Sequence, residues 1–187
     1  MMNWLRTNRF AAGLLMLVRF YLGWKWIDGG WHKLTDGFHA GGFLGNAVNK
    51  PVLEMGTDHA LYPNYVYFLK HFAVPNVKLF DVLVPWGEFL VGLGLILGAL
   101  TTAAAFFGIL MNFMFLLAGT VSTNPWLILF GAIVLIAGAN AGKFGADYYL
   151  LPFLKKTFRQ LIGRFGKHKG QTPQTPVTPI GRKGAAS

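Results

Sequence analysis

The chain has 187 residues, 53% of them hydrophobic and only 13% charged, a balance too apolar for a small soluble domain and suited to one integral membrane domain. Cysteine is absent, which excludes disulfides, thiolate catalysis and Cys-ligated iron–sulfur or zinc centres. The net charge of +10 owes much to eight Lys and Arg between Lys155 and Lys183, beyond the last apolar block, a membrane-surface pattern rather than a nucleic-acid one.

In chain order, Arg6 and Arg9 precede an apolar run, as in a signal peptide. No small-x-small cleavage site follows, and the run continues into Trp24-Lys25-Trp26-Ile27-Asp28, so it reads as a retained helix. A first span is predicted over about residues 10–34, then spans over about 80–100, 102–121 and 125–145. Each supplies the roughly 20 residues that cross about 30 Å of hydrocarbon. The connectors at Leu100-Thr101-Thr102 and Ser122-Thr123-Asn124-Pro125 are short, which makes the last three spans antiparallel neighbours. Pro125 suits a first helical turn, with Asn124 or Thr123 as its cap. The expected fold is all-α: a four-helix transmembrane bundle over 1–151, with a long outer segment at 35–79.

That outer segment has its own pattern. Phe43, Leu44, Ala47 and Val48 share a helical face, and the aromatic run Asn64 to Phe72 between Pro63 and Pro75 suits the headgroup level. It reads as an interfacial anchor, with a lid over an outward-facing site as the sharper alternative. At the other end, Pro152 is expected to stop the last helix. Residues 152–169 then alternate apolar and basic side chains as an amphipathic helix on anionic inner-leaflet lipid, the contact falling to 153–169. Residues 170–187, with Thr-Pro three times, are too polar to bury a core and read as a disordered tail. With both termini inside, eleven Lys and Arg fall on the inner side and four on the outer. This predicts cytoplasmic termini, an even number of spans and a multi-pass protein of the plasma membrane.

Charged residues within the spans are functional-site hypotheses by default. Counting at 1.5 Å per residue sets Arg19 about 14 Å in from one face and Glu88 about 9 Å in from the other, a gap of about 7 Å. Glu88 then has two cationic candidates, Arg19 and Lys25, while Lys25 also has Asp28 one turn on. Asn112 falls near the Arg19 level, Asn140 nearer the inner face and Asp147 at or beyond its edge. One reading is a polar pocket of Arg19, Glu88 and Asn112 walled by Trp24 or Trp26 and by Trp86. Another is structural, with the charges gluing helices together. Lys25 and Asp28 can also snorkel to the outer interface. His32, His39, His59 and His71 lie in or beside the outer segment without ligand spacing, so no metal site is expected. Gly92, Gly94 and Gly98 mean close helix packing rather than nucleotide binding.

Several motifs now converge. They are Arg19-Phe-Tyr-Leu-Gly23 with Trp26, Gly30 and Lys33-Leu34; Pro85-Trp86-Gly87-Glu88 with Gly92 to Gly98; Met111-Asn112-Phe113-Met114; and Asn140-Ala141-Gly142 with Gly145 and Asp147. Over about residues 10–150 the chain resembles the DoxX/DoxD-like membrane proteins. The resemblance implies a four-helix membrane protein. Some members are subunits of thiosulfate:quinone oxidoreductase, and others are linked to redox stress or to resistance against quinone-like compounds. It places motif positions, not proven roles, on Arg19, Glu88, Asn112 and Asp147.

Two functional readings follow. In the first, the chain is a quinone-linked oxidoreductase or a subunit of one. A quinone is then co-substrate, no cofactor is held covalently, and an anionic donor such as thiosulfate is drawn by Arg19 or Lys25. Trp26, Trp86, Asn112 and Asn140 line the quinone site, and Glu88 or Asp28 handles protons. In the second, the chain is a non-enzymatic transporter or a scaffold that recruits a soluble redox partner. Either admits a partner subunit or a homo-oligomer in the bilayer, and neither involves nucleic acid.

Overall fold

The computed structural model describes residues 2–167, with side chains to residue 160; the predicted tail at 170–187 lies outside the described residues. Eight α-helices and no strand occur among the described residues: α1 Met2–Thr7, α2 Arg9–Thr35, α3 Ala40–Asn49, α4 Pro63–Phe68, α5 Val77–Leu97, α6 Thr101–Leu117, α7 Asn124–Ala137 and α8 Asp147–Lys167. A π-helical turn, Leu69–Ala73, extends α4, and a 3-10 turn, Gly138–Asn140, extends α7. Two compact units divide between Leu151 and Pro152.

Within the first unit, α2 packs against α5 and α7, and α6 also packs against both, so the four close a bundle. Their shared core includes Leu15, Leu22, Trp26, Val91, Leu95, Leu127 and Val134. α2 and α5 are long and apolar enough to cross a membrane; α6 and α7 are shorter apolar helices of 17 and 14 residues. The expected 20-residue length is therefore not met by the last two, and α5 begins and ends about three residues earlier than predicted. The reason is Gly98. Its φ of +62° puts the chain in the left-handed region that closes a helix, so α5 stops at Leu97. Gly138 ends α7, also at positive φ but with ψ −132°, a glycine conformation outside the left-handed helical region.

Caps explain the other boundaries. Asn8 opens α2 by accepting hydrogen bonds from the backbone N–H of Phe10 and Ala11 at 2.7 and 3.2 Å. Pro125 sits in the first turn of α7 as expected. Neither proposed cap closes that turn, however: the Thr123 side chain makes no cap bond, and Asn124 Nδ2 donates to the Thr120 carbonyl instead. α3 has no cap of its own, and Asp81 of α5 supplies one by accepting from Ala40 N–H at 2.6 Å.

The segment between α2 and α5 folds over one end of the bundle with a small core of its own, built from Ala40, Leu44, Ala47, Leu69, Ala73 and Ala118. Phe43 meets Phe115 edge-on, and the Tyr65 hydroxyl donates to the Met114 carbonyl at 2.8 Å. Burial pushes the Tyr65 phenol up to about 12. Pro152 does not stop the last helix: α8 runs through it from Asp147. Proline lies here only six residues into the helix, where its missing N–H removes a single early bond.

Candidate functional site

Two buried polar centres sit toward opposite ends of the bundle. The first is built on Arg19, which α2 carries into the interior at 1% exposure. Its Nη1 donates to the Ala141 carbonyl at 3.0 Å and its Nη2 to the Phe144 carbonyl at 3.2 Å. These acceptors lie on the strap that links α7 to α8. Asp147 closes the same strap. Its Oδ1 and Oδ2 accept from Leu100 and Thr101 N–H at 2.7 and 2.9 Å, so a residue of α8 caps the start of α6. Its own N–H donates to the Gly98 carbonyl at 2.7 Å, and Ala146 N–H to Leu97 at 3.0 Å. Asp147 is also the acidic group that attracts the Arg19 guanidinium.

Three glycines make this crossing close enough. A Cβ on Gly98 would overlap the Arg19 guanidinium, one on Gly145 would lie 2.9 Å from Arg19 Nη1, and one on Gly142 would lie 2.6 Å from Asp147 Cβ. These are the glycines of the Gly92 to Gly98 and Asn140 to Asp147 motifs, and their purpose here is geometric. Two polar atoms remain unpaired at this end, Arg19 Nε and Thr101 Oγ1.

The second centre joins Glu88 of α5 to Lys33 of α2, with Nζ 2.6 Å from Oε2. Lys33 Nζ also donates to the Gly29 carbonyl at 3.4 Å. This corrects the expected partners of Glu88, which were Arg19 and Lys25. The register decides it. Gly23 packs against Gly92 and Ile96, and Gly30 against Pro85 and Phe89, which sets Glu88 beside Gly29. The depth count from sequence erred by about one turn, or about 6 Å, because it measured each helix from an assumed membrane face, whereas the glycine contacts between α2 and α5 set the register. Lys33 lies one turn beyond Gly29, and a helical side chain leans back toward the N-terminus onto that level. Arg19, by contrast, lies about 15 Å from Gly29 along α2.

Between the centres, Trp26 is buried at 5% exposure and touches α6, since a Cβ on Gly108 would lie 3.3 Å from its Nε1. One turn beyond Gly108 is Asn112, at 1% exposure, with neither its Oδ1 nor its Nδ2 partnered. Asn112 and Glu88 both lie about 15 Å from the Asp147 level along their helices, so they share a layer, and Met111 packs on Gly87 beside them. Asn112 thus belongs to the Glu88 level rather than to that of Arg19.

The remaining candidates do not join this layer. Trp24 and Trp86 lie on the outside of the bundle, 64% and 49% exposed. Lys25 and Asp28 are exposed as well, and Asp28 faces His32 at 3.6 Å rather than Lys25. Asn140 is a tie to the amino-terminal segment, its Nδ2 donating to the Leu5 and Asn8 carbonyls at 2.8 and 3.0 Å. The single pocket of Arg19, Glu88 and Asn112 therefore resolves into two separate centres. Among the described residues, no three His, Asp or Glu side chains cluster closely enough to hold a metal. Sequence reasoning missed Lys33 as a partner of Glu88, counting it only among the four outer cations; the signal was Gly29, one turn before it, facing the carboxylate.

No curated protein and no solved structure matches the chain. The DoxX family model does match, over residues 14–123, a stretch that takes in Arg19, Lys33, Glu88 and Asn112 and ends before Asn140 and Asp147. Matched over more than half its length, and carrying two helices apolar and long enough for a bilayer, the chain belongs to the DoxX family of membrane proteins.

Proposed function

We propose that this is a four-span protein of the plasma membrane, both ends cytoplasmic, that binds a quinone as part of a quinone-linked oxidoreductase. The observation that carries the reading is Asn112: a carboxamide buried inside the bundle at the Glu88 level with donor and acceptor both unpartnered. Such a group costs about 1–3 kcal/mol unless a ligand or water meets it. A quinone carbonyl accepts from Nδ2, and a quinol hydroxyl donates to Oδ1. Trp26 offers an aromatic face about one turn away, and the Lys33–Glu88 pair in the same layer is placed to hold and pass protons. In the thiosulfate form of this reading, two thiosulfate ions join into tetrathionate and release two electrons, which with two protons turn the quinone into quinol. Lys25, Asp28, Trp86 and Asn140 have no place in the site and are left to the membrane surface and to packing.

The four-span topology draws on helix lengths. α6, and α7 with its 3-10 turn, each span about 25 Å, which a locally thinned bilayer accommodates.

The test is titration of the purified protein with a short-chain quinone, read by tryptophan fluorescence. Saturable quenching is expected, with affinity at least tenfold weaker in Asn112→Leu at unchanged helical content. No quenching, or equal quenching in the variant, overturns the reading. A second reading rests on the exposed Lys155, Lys156 and Arg159 of α8: a scaffold that gathers anionic lipid or a soluble partner. Deleting residues 152–187 would then abolish recruitment and leave quinone quenching intact.

A further inference from the structure

We infer that the strap joining α7 to α8 is an anionic-lipid site, and that the phosphate of an anionic phospholipid headgroup sits in a groove between Arg9 and Lys143. The groove has a volume of about 590 Å³ and is lined by Arg9, Lys143, Phe144, Gly145, Tyr148 and Tyr149. It is separate from the proposed quinone layer, which lies in the second centre, and its lining includes none of Lys155, Lys156 and Arg159.

The charge is one-sided. Arg9 and Lys143 make no ion pair and no side-chain hydrogen bond among the described residues, so both cations are free to bind. The one carboxylate nearby in sequence, Asp147, is turned away and spent on the Leu100 and Thr101 N–H groups. A phosphodiester with several acceptor oxygens matches a guanidinium and an ammonium facing one cleft.

The remaining wall favours a lipid over a free anion. Tyr148 and Tyr149 meet edge-on with ring centroids 4.9 Å apart, and both are well exposed. Phe144 is exposed beside them. Tyrosines next to cations at the end of an apolar helix are the residues that settle at headgroup depth. The outer face of α2 then offers Phe10, Leu14 and Leu17, all exposed, to an acyl chain. Phe144 of this lining is also the residue whose carbonyl accepts from Arg19, so an occupant rests against the strap that fastens the bundle.

Native mass spectrometry of the full chain in detergent, titrated with phosphatidylglycerol and with phosphatidylcholine of the same acyl chains, tests this. The wild type is expected to retain phosphatidylglycerol at least fivefold over phosphatidylcholine, and Arg9→Gln/Lys143→Gln to lose that preference. Lys155→Gln/Lys156→Gln/Arg159→Gln is expected to keep it. Neither the Arg9 nor the Lys143 side chain bonds to the protein among the described residues, so the double variant should fold; Lys143→Gln alone should show a partial loss. An unchanged preference in the double variant overturns the inference, as does its loss in the α8 triple variant alone. Full displacement of phosphatidylglycerol by millimolar inorganic phosphate overturns the choice of a lipid.

Discussion

Lys33 Nζ stands 2.6 Å from Oε2 of Glu88, and the carboxylate is by far the more buried partner, its side chain 5% exposed against 30% for the lysine. The two halves of the pair are therefore unequal. Removing Lys33 strands a buried charge, whereas removing Glu88 leaves a lysine that can turn toward water. Lys33→Met should cost about 3 kcal/mol and Glu88→Gln clearly less, with the double variant more stable than the sum predicts. Thermal melting in detergent measures all three. Arg19→Gln combined with Glu88→Gln should be additive, because the two residues belong to different centres.

Gly98 combines a left-handed backbone with direct contact on the Arg19 guanidinium. Gly98→Ala should lower stability by about 2–4 kcal/mol, from strain plus displacement of the arginine. Gly13, in the same helix as Arg19, has open space around it. Gly13→Ala should be neutral or stabilising by up to about 1 kcal/mol, from helix propensity alone. A clear drop in melting temperature for Gly98→Ala and none for Gly13→Ala is the expected result.

Asp147 caps α6 through two backbone N–H groups. Asp147→Ala should cost about 2–4 kcal/mol, since two backbone donors lose their acceptor and the buried Arg19 guanidinium loses a nearby negative charge at once. Asp147→Asn keeps one acceptor oxygen and should fall between. Hydrogen exchange at Leu100 and Thr101 should accelerate in both variants, more in the alanine.

The Tyr65 phenol, pushed from 10.0 up to about 12, holds its proton longer when folded than when unfolded. The unfolded chain loses that proton first, so the contribution is complete below pH 10 and is lost as pH rises toward 12. Tyr65→Phe should destabilise by about 1 kcal/mol at neutral pH through loss of the bond to Met114. The gap between the two proteins should narrow between pH 10 and 12, as read by denaturant titration.

The helical bundle was legible because its signal is coarse: long apolar blocks, short connectors and glycines at packing distance. The pairing of charges was not, because it depends on register. A slip of one turn between α2 and α5 moves Glu88 from the Lys25 level to that of Gly29 and Lys33. The marker of that register was present in Gly23, Gly30 and Gly92, each of which leaves no room for a Cβ against the opposing helix. Gly98 likewise announced the end of α5, had it been weighed as a helix stop rather than as a packing residue. Asn112 was found from its depth alone, but the residues sharing its layer followed only once the register was known. The strap was visible as a run of motif residues. That Asp147 caps α6 could not be read from spacing, because 46 positions separate the carboxylate from the Thr101 N–H.

That separation orders the making of the molecule. Everything Asp147 and the strap carbonyls fasten is translated before them. During synthesis Arg19 is threaded toward the bilayer well ahead of Ala141 and Phe144, and α6 emerges with its first amides unclaimed. The early helices must wait, half assembled, for the last segment to arrive. A ribosome halted short of Asp147 would leave a bundle whose parts are all present and whose clasp is missing.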